Sequence, residues 1–297
     1  MATYNRLLTV RSDVESFVYN VLDIFENAAF MSAVGKIMTV EMQLNYFNAH
    51  QTLNDDTYRV DEYKSSRQRE ALRKRIHDEL IGQVRPDKDD EIRLGYGGAL
   101  PRSGHVDCDK KLFYTIGLPA SGKSGISNTL SDAENAVIID SDMAKRKLPE
   151  YYDVDGGASL VNKESSAIVM EYERQNLFAS CVEKGYNLIV PKIGNYIKEV
   201  IGFFEYMKRE KGYSIFLVLI ELDRLKATRR AFKRFLETGR YVPLSLIFDS
   251  YANDPTLTYF KIIKYNGGLL DGYAHIDNDV EFGHPYIVKE NKGICAL

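Results

Sequence analysis

From Ser12 onward the apolar positions recur at helical spacing. Val14, Phe17, Val18, Val21, Leu22 and Phe25 share one face, and Ser12 with Glu15 has the form of a capping box. A second helical stretch, SSRQREALRKRIHDELIGQV, spaces Leu72, Ile76 and Leu80 by four. Its basic cluster, Arg67, Arg69, Arg73, Lys74 and Arg75, reads as a solvated helix face rather than an anion site. The segment GYGGALPRSGHVD, residues 95–107, has the glycine, proline and serine content of a loop or linker. A boundary is expected there, between a helical extension over 1–94 and a different unit over 95–297.

Beyond that boundary the pattern alternates. The short β-branched or aromatic runs KLFYTIG, NAVIID, YNLIVP and YSIFLVLIEL are separated by helix-length stretches: NKESSAIVMEYERQNLFASCVEKG, YIKEVIGFFEYMKREKG and DRLKATRRAFKRFLETG. Strands joined by helical crossovers imply a parallel sheet, and near-continuous apolar runs imply burial on both faces. Glycine in KGYN and KGYS ends one helix before the next strand begins. The expected fold is α/β, a parallel sheet flanked by helices with an α-helical N-terminal extension. The turn-rich tail from Tyr265 is not assigned.

Composition changes this picture little. The 297 residues are 44% hydrophobic and 27% charged with a net charge of −3, as in an ordinary soluble globular protein without a basic field for nucleic acid or anionic membrane. Cys108, Cys181 and Cys295 are few and widely spaced, as expected of free thiols in a reducing compartment, and the five scattered histidines lack zinc-ligand spacing. No apolar h-region precedes the first acidic residue and no run approaches a membrane span. A cytoplasmic protein is expected, with delivery by a specialised secretion system left open.

The candidate chemistry is concentrated in IGLPASGKSGIS. Gly117, Gly122, Lys123 and Ser124 satisfy G-x-x-x-x-G-K-[ST], the P-loop or Walker A pattern, between a strand candidate and a helix candidate. Glycines let backbone N–H groups turn inward around phosphate, and the helix N-terminus adds favourable partial charge. The phosphate cradle comprises Gly117, Ala120, Ser121, Gly122, Lys123, Ser124 and Gly125. Lys123 reaches the terminal phosphates of ATP, and Ser124 can ligate Mg²⁺. The next strand leads into VIIDSDMAKRKLPEY, where Asp140 and Asp142 would face the same side if the backbone stayed extended. One could accept a proton and the other orient water on Mg²⁺, or either could simply cap the following helix. In DRLKATRRAFKRFLETGRYVP, Leu225, Phe232, Phe235 and Leu236 form an apolar stripe, and Lys226, Arg229, Arg230, Lys233 and Arg234 cover much of the rest. Such guanidinium groups either neutralise a migrating phosphoryl group or form a solvated face.

The order GLPASGKS, IIDSDMAKRKLPEY, VNKESSAI, EKGYNLIVP and RRAFKRFLETGRYVP resembles the zeta-toxin family of P-loop small-molecule kinases over about residues 95–250. The resemblance implies transfer of the ATP γ-phosphate to a sugar hydroxyl of a nucleotide-linked acceptor, typically UDP-N-acetylglucosamine, by a kinase that inhibits cells when unrestrained. It implies Lys123 in the cradle, Ser124 toward the metal, Asp142 as general base, which leaves Asp140 for the metal, and Arg230 and Arg234 as phosphate clamps, with Arg229 and Arg240 as alternatives. Glu164 and Ser165 are candidate acceptor contacts, although a helix start explains them almost as well. Where UDP-sugar toxins carry an acidic and a small hydroxyl residue, LIVPKIGN offers Pro191, Lys192, Ile193 and Gly194. A lysine there favours an acceptor bearing phosphate, similar to a branch of the family that phosphorylates the adenosine ribose of NAD. Competing readings are a nucleotide-gated ATPase or switch acting on a protein, and a nucleic-acid-end kinase. The extension over 1–94 could dock an antitoxin or chaperone, contact substrate, or extend the core, and the last is preferred.

Overall fold

A computed structural model of the chain describes residues 4–153, 156–171, 175–280 and 284–297. The N-terminal part folds into α1 (Arg11–Phe17), prolonged by a π-helical turn at Val18–Leu22, then α2 (Asn27–Ala49) and α3 (Ser66–Gly82). The capping box expected at Ser12 is not formed. The helix starts at Arg11, ahead of Ser12, and Glu15 instead pairs with the Arg11 guanidinium at 2.8 Å. A capping box does open α3, where Ser65 and Gln68 satisfy each other's backbone N–H groups. Five of the six apolar residues expected on the first face are buried, whereas Phe25 lies beyond the helical turn and is exposed.

The second part supplies β1 (Lys111–Ile116), α4 (Lys123–Ala133), β2 (Val137–Ile138), α5 (Ser141–Lys145), α6 (Glu150–Asp153), α7 (Gly157–Leu160), α8 (Asn162–Met170), α9 (Leu177–Glu183), β3 (Leu188–Lys192), α10 (Ile197–Arg209), β4 (Ser214–Glu221), α11 (Arg224–Thr238), α12 (Asp254–Asn266), β5 (Gly272–Asp277) and β6 (Ile287–Lys292). All four expected strands form. Helix α12 runs up to the start of the tail that resisted assignment, and the tail itself contributes two more strands. The long helix expected across 162–185 is two helices, α8 and α9, and the part of that stretch at 172–174 lies outside the described residues.

The sheet order is β2-β3-β1-β4-β5-β6, parallel throughout except for the antiparallel β5–β6 edge. Strand β1 lies between β3 and β4, so the chain winds to one side of it and then to the other. That reversal opens a crevice at the carboxyl ends of the strands, where α/β sheets bind ligands.

Two apolar cores hold the molecule together. Leu72, Ile76 and Leu80 of α3, with Ile92 and Ala99, belong to the same core as the sheet. A second core joins α1 and α2 to Ala227, Ala231 and Phe232 of α11 and to Leu244 and Ile247 beyond it. The segment 95–107 is not a loose tether. Ala99 donates to Leu80 O at 2.8 Å and accepts from Ile138 N at 3.0 Å, which ties α3 to β2. The cluster on α3 is also only partly solvated. Arg69 is fully buried and binds Glu150 and Glu164, and Arg73 reaches Glu164 at 2.6 Å. Buried charges survive only when paired, and this network joins α3 to α6 and α8.

Candidate active site

The turn after β1 is built for close backbone approach. A Cβ at Gly117 would lie 2.4 Å from Ile220 O, and one at Gly122, which takes φ of 94°, would lie 2.2 Å from Asn278 Nδ2. Only glycine fits either position. Ala120 also takes a left-handed φ, 63°. The next helix, α4, begins at Lys123, so its leading N–H groups have no acceptors within the helix and open onto the loop. Lys123 Nζ folds back to donate to Gly117 O and Leu118 O, each at 2.6 Å. Burial pushes the Lys123 ammonium down to about 7, against the opposing pull of Asp140.

Across the cleft, β2 ends at Ile138 and the backbone does not stay extended through the aspartate pair. Asp140 is the N-cap of α5 and accepts from Asp142 N at 2.9 Å, whereas Asp142 sits in the first turn of that helix. Capping thus describes Asp140, yet both carboxyl residues line the cleft. Asp142 is gripped by Lys145 at 3.0 Å and by the Arg240 guanidinium. Burial pushes its carboxyl up, but the positive charges of Arg240 and Lys145 prevail and hold it well below the usual carboxylate range. Burial and the neighbouring Asp142 raise Asp140. The two carboxyls are therefore driven in opposite directions.

Helix α11 brings Arg230 and Arg234 to the same cleft, and Arg240 follows its end. Arg229 faces the other way, donating to Val21 O at 2.9 Å. Arg230 donates to Asn278 O at 3.3 Å and Val280 O at 2.8 Å, while Asn278 Nδ2 donates to Ser121 O at 2.7 Å. The segment after β5 thus fastens α11 to the phosphate loop. Arg234 Nε is buried without a hydrogen-bond partner, and burial lowers that guanidinium to about 10.

Of the expected site residues, Ala120, Gly122, Lys123, Ser124, Asp140, Asp142, Lys192, Arg230, Arg234 and Arg240 line one cleft of about 1230 Å³. Gly117 instead borders a smaller cavity of about 300 Å³ on the other side of the loop, with Asn253 and Asp277. Ser121 is buried within the loop, and Gly125 lies in the first turn of α4. Glu164 and Ser165 do not reach the cleft and are corrected here. Glu164 is fully buried on Arg69, Arg73 and Thr52, and Ser165 donates to Asn162 O at 2.9 Å. Burial raises Glu164, but the bonds from Arg69 outweigh it and leave the carboxyl low. Sequence reasoning missed Asn278, which lies in the unassigned tail, and Lys145, which is one turn from Asp142.

Residues 109–256 match the family model described as Zeta toxin. Through this segment the chain belongs to the zeta toxin family. The fold and the P-loop are accordingly those of a nucleotide-binding, kinase-like toxin. Among solved structures, a chain of the PezAT chromosomal toxin-antitoxin system of Streptococcus pneumoniae is similar at 14% identity and a TM-score of 0.48, covering 77% of this chain and 83% of the other. A chain of the AvrRxo1-ORF1:-ORF2 complex with ATP is similar at 16% identity and a TM-score of 0.45, covering 75% and 66%. No curated protein matches this chain. Among the described residues, no helix is long and apolar enough to cross a membrane.

Proposed function

We propose that this zeta toxin transfers the γ-phosphate of ATP to a sugar hydroxyl of a nucleotide-linked small molecule, UDP-N-acetylglucosamine or NAD. The observation that carries the reading is the convergence of a P-loop lysine, an ionised aspartate and three arginines on one cleft. Lys123 would leave its loop carbonyls to meet the terminal phosphates. Asp142 would take the proton as the acceptor oxygen bonds to phosphorus and the bond to the ADP oxygen breaks. Arg240 holds Asp142 in the free protein. Its transfer to a phosphate oxygen would raise the Asp142 carboxyl and make it a better base. Arg230 and Arg234 would offset charge on the moving phosphoryl group.

The oxygen donors suit Mg²⁺. Ser124 and Asp140 line the same cleft, and both offer hard oxygen donors of the kind that hold Mg²⁺ together with phosphate oxygens. When bound there, Mg²⁺ would neutralise phosphate charge. Lys192, whose ammonium burial lowers, lines the same cleft and supports an acceptor that carries phosphate. The family points further to a kinase that harms the cell in which it is active, and to an antitoxin or chaperone that restrains it in the cytoplasm.

Incubation with ATP, Mg²⁺ and each acceptor should add one phosphoryl mass to one of them. Lys123→Ala and Asp142→Asn should lose at least about a hundredfold in rate while melting as wild type does. Undiminished turnover by Asp142→Asn would remove the assigned base.

A further inference from the structure

Helix α2 lies outside the segment that matches the family, yet Leu44 and Asn48 on it line the cleft. Four residues apart, they share one face of the helix, and Glu41 lies on that face one turn earlier. Ties at both ends fix this wall. The Tyr241 hydroxyl, one residue after Arg240, donates to Glu41 at 2.5 Å, and both groups are buried. Just past the other end, Gln51 Nε2 donates to Ser159 O at 2.8 Å and its Oε1 accepts from Lys163 N at 3.0 Å. Phe47 packs close under Gly156, where a Cβ would lie 3.5 Å from its ring.

The lining differs in character between the elements that supply it. Near Lys123 and Asp142 it is dominated by cations. The residues that α2, α7 and α8 give to the lining are Leu44, Asn48, Ala158, Ser159, Asn162 and Met170, none of them charged. Helix α8 packs on α5, which carries Asp142, so this end lies on the side of the proposed base. Asn48 is exposed to the cleft. A carboxamide both donates and accepts, which suits a hydroxyl or an amide and not a phosphate. A volume of about 1230 Å³ also leaves room for more than a triphosphate.

We propose that α2 forms the far wall of the acceptor subsite, with Asn48 hydrogen-bonding an uncharged, hydroxyl- or amide-bearing part of the acceptor opposite Ser159 and Asn162. The inference rests on the kinase reading above. It makes acceptor choice at that end a property of this chain's own N-terminal region.

Steady-state kinetics with UDP-N-acetylglucosamine and, separately, NAD as acceptor probes test it, using wild type, Asn48→Ala and Asn48→Asp. With the probe that wild type phosphorylates, Asn48→Ala should raise acceptor KM about tenfold and leave kcat and the KM for ATP within about twofold. Asn48→Asp should raise acceptor KM further through repulsion of the acceptor's phosphates. An unchanged acceptor KM in both variants, or a KM for ATP that rises equally, would overturn the α2 wall and leave the kinase reading standing. A wild type that binds ATP but phosphorylates neither probe would overturn the acceptor reading and the wall with it. Asn48 is exposed, so equal melting of the three proteins is expected, and a melt lowered along with the acceptor effect would assign the residue to structure instead.

Discussion

Lys123 is where a single group couples chemistry to pH. Its ammonium, folded against two loop carbonyls, ionises near 7 because burial disfavours the charge. A bound triphosphate would raise that value, so at pH above about 7 ATP binding should take up a proton. Affinity is then highest at and below the free-state value and falls as pH rises through the interval, by at most about tenfold per unit. Calorimetry in buffers of different ionisation enthalpy, between about pH 7.5 and 9 so that ATP itself is fully ionised, would count the proton. Lys123→Arg, which stays charged throughout, should abolish the uptake. The cradle was legible in the sequence because its residues are contiguous and each type is demanded by phosphate. Asp140 and Asp142 were legible as a pair but not in their roles. An alternating pattern gives no sign that the strand stops at Ile138 and hands Asp140 to a helix cap.

Among the elements, α3 shows how a charge pattern misleads. Its arginines recur as on a solvated face, yet Arg69 has no exposure because Glu150 and Glu164 meet it from α6 and α8. Those acids lie 81 and 95 residues away, beyond the reach of local periodicity. Removing one partner leaves a buried charge uncompensated. Glu164→Ala should therefore cost about 3–5 kcal/mol in urea unfolding. Glu70→Ala, at an exposed pair on the same helix, should cost less than about 1 kcal/mol. The strands were plain from their apolar runs. By contrast, β6 was hidden, because every residue of that edge strand is exposed and no buried side alternates along it.

For the whole molecule, the change of pattern near residue 95 is a change of secondary structure more than a division of the core. Leu72, Ile76, Leu80 and Ile92 pack with the sheet, and most of the second core comes from residues before 45. A chain lacking residues 1–94 should therefore aggregate or lose its cooperative melt, as followed by circular dichroism and limited proteolysis, because both cores would be opened to water. A soluble truncated protein with wild-type melting would show the extension to be dispensable. The parts of the site that came from far along the chain, Asn278 from one direction and α2 from the other, were invisible to motif reading for the same reason. Their neighbours are set by how the chain winds and by no local spacing.

The ion pair between Asp142 and Arg240 has a consequence for the proposed kinase. While Arg240 is paired with Asp142, the proposed proton acceptor is engaged by a side chain of the same empty site. If Asp142 is the base, a newly folded molecule starts at rest, and each turnover would begin by prising those two side chains apart.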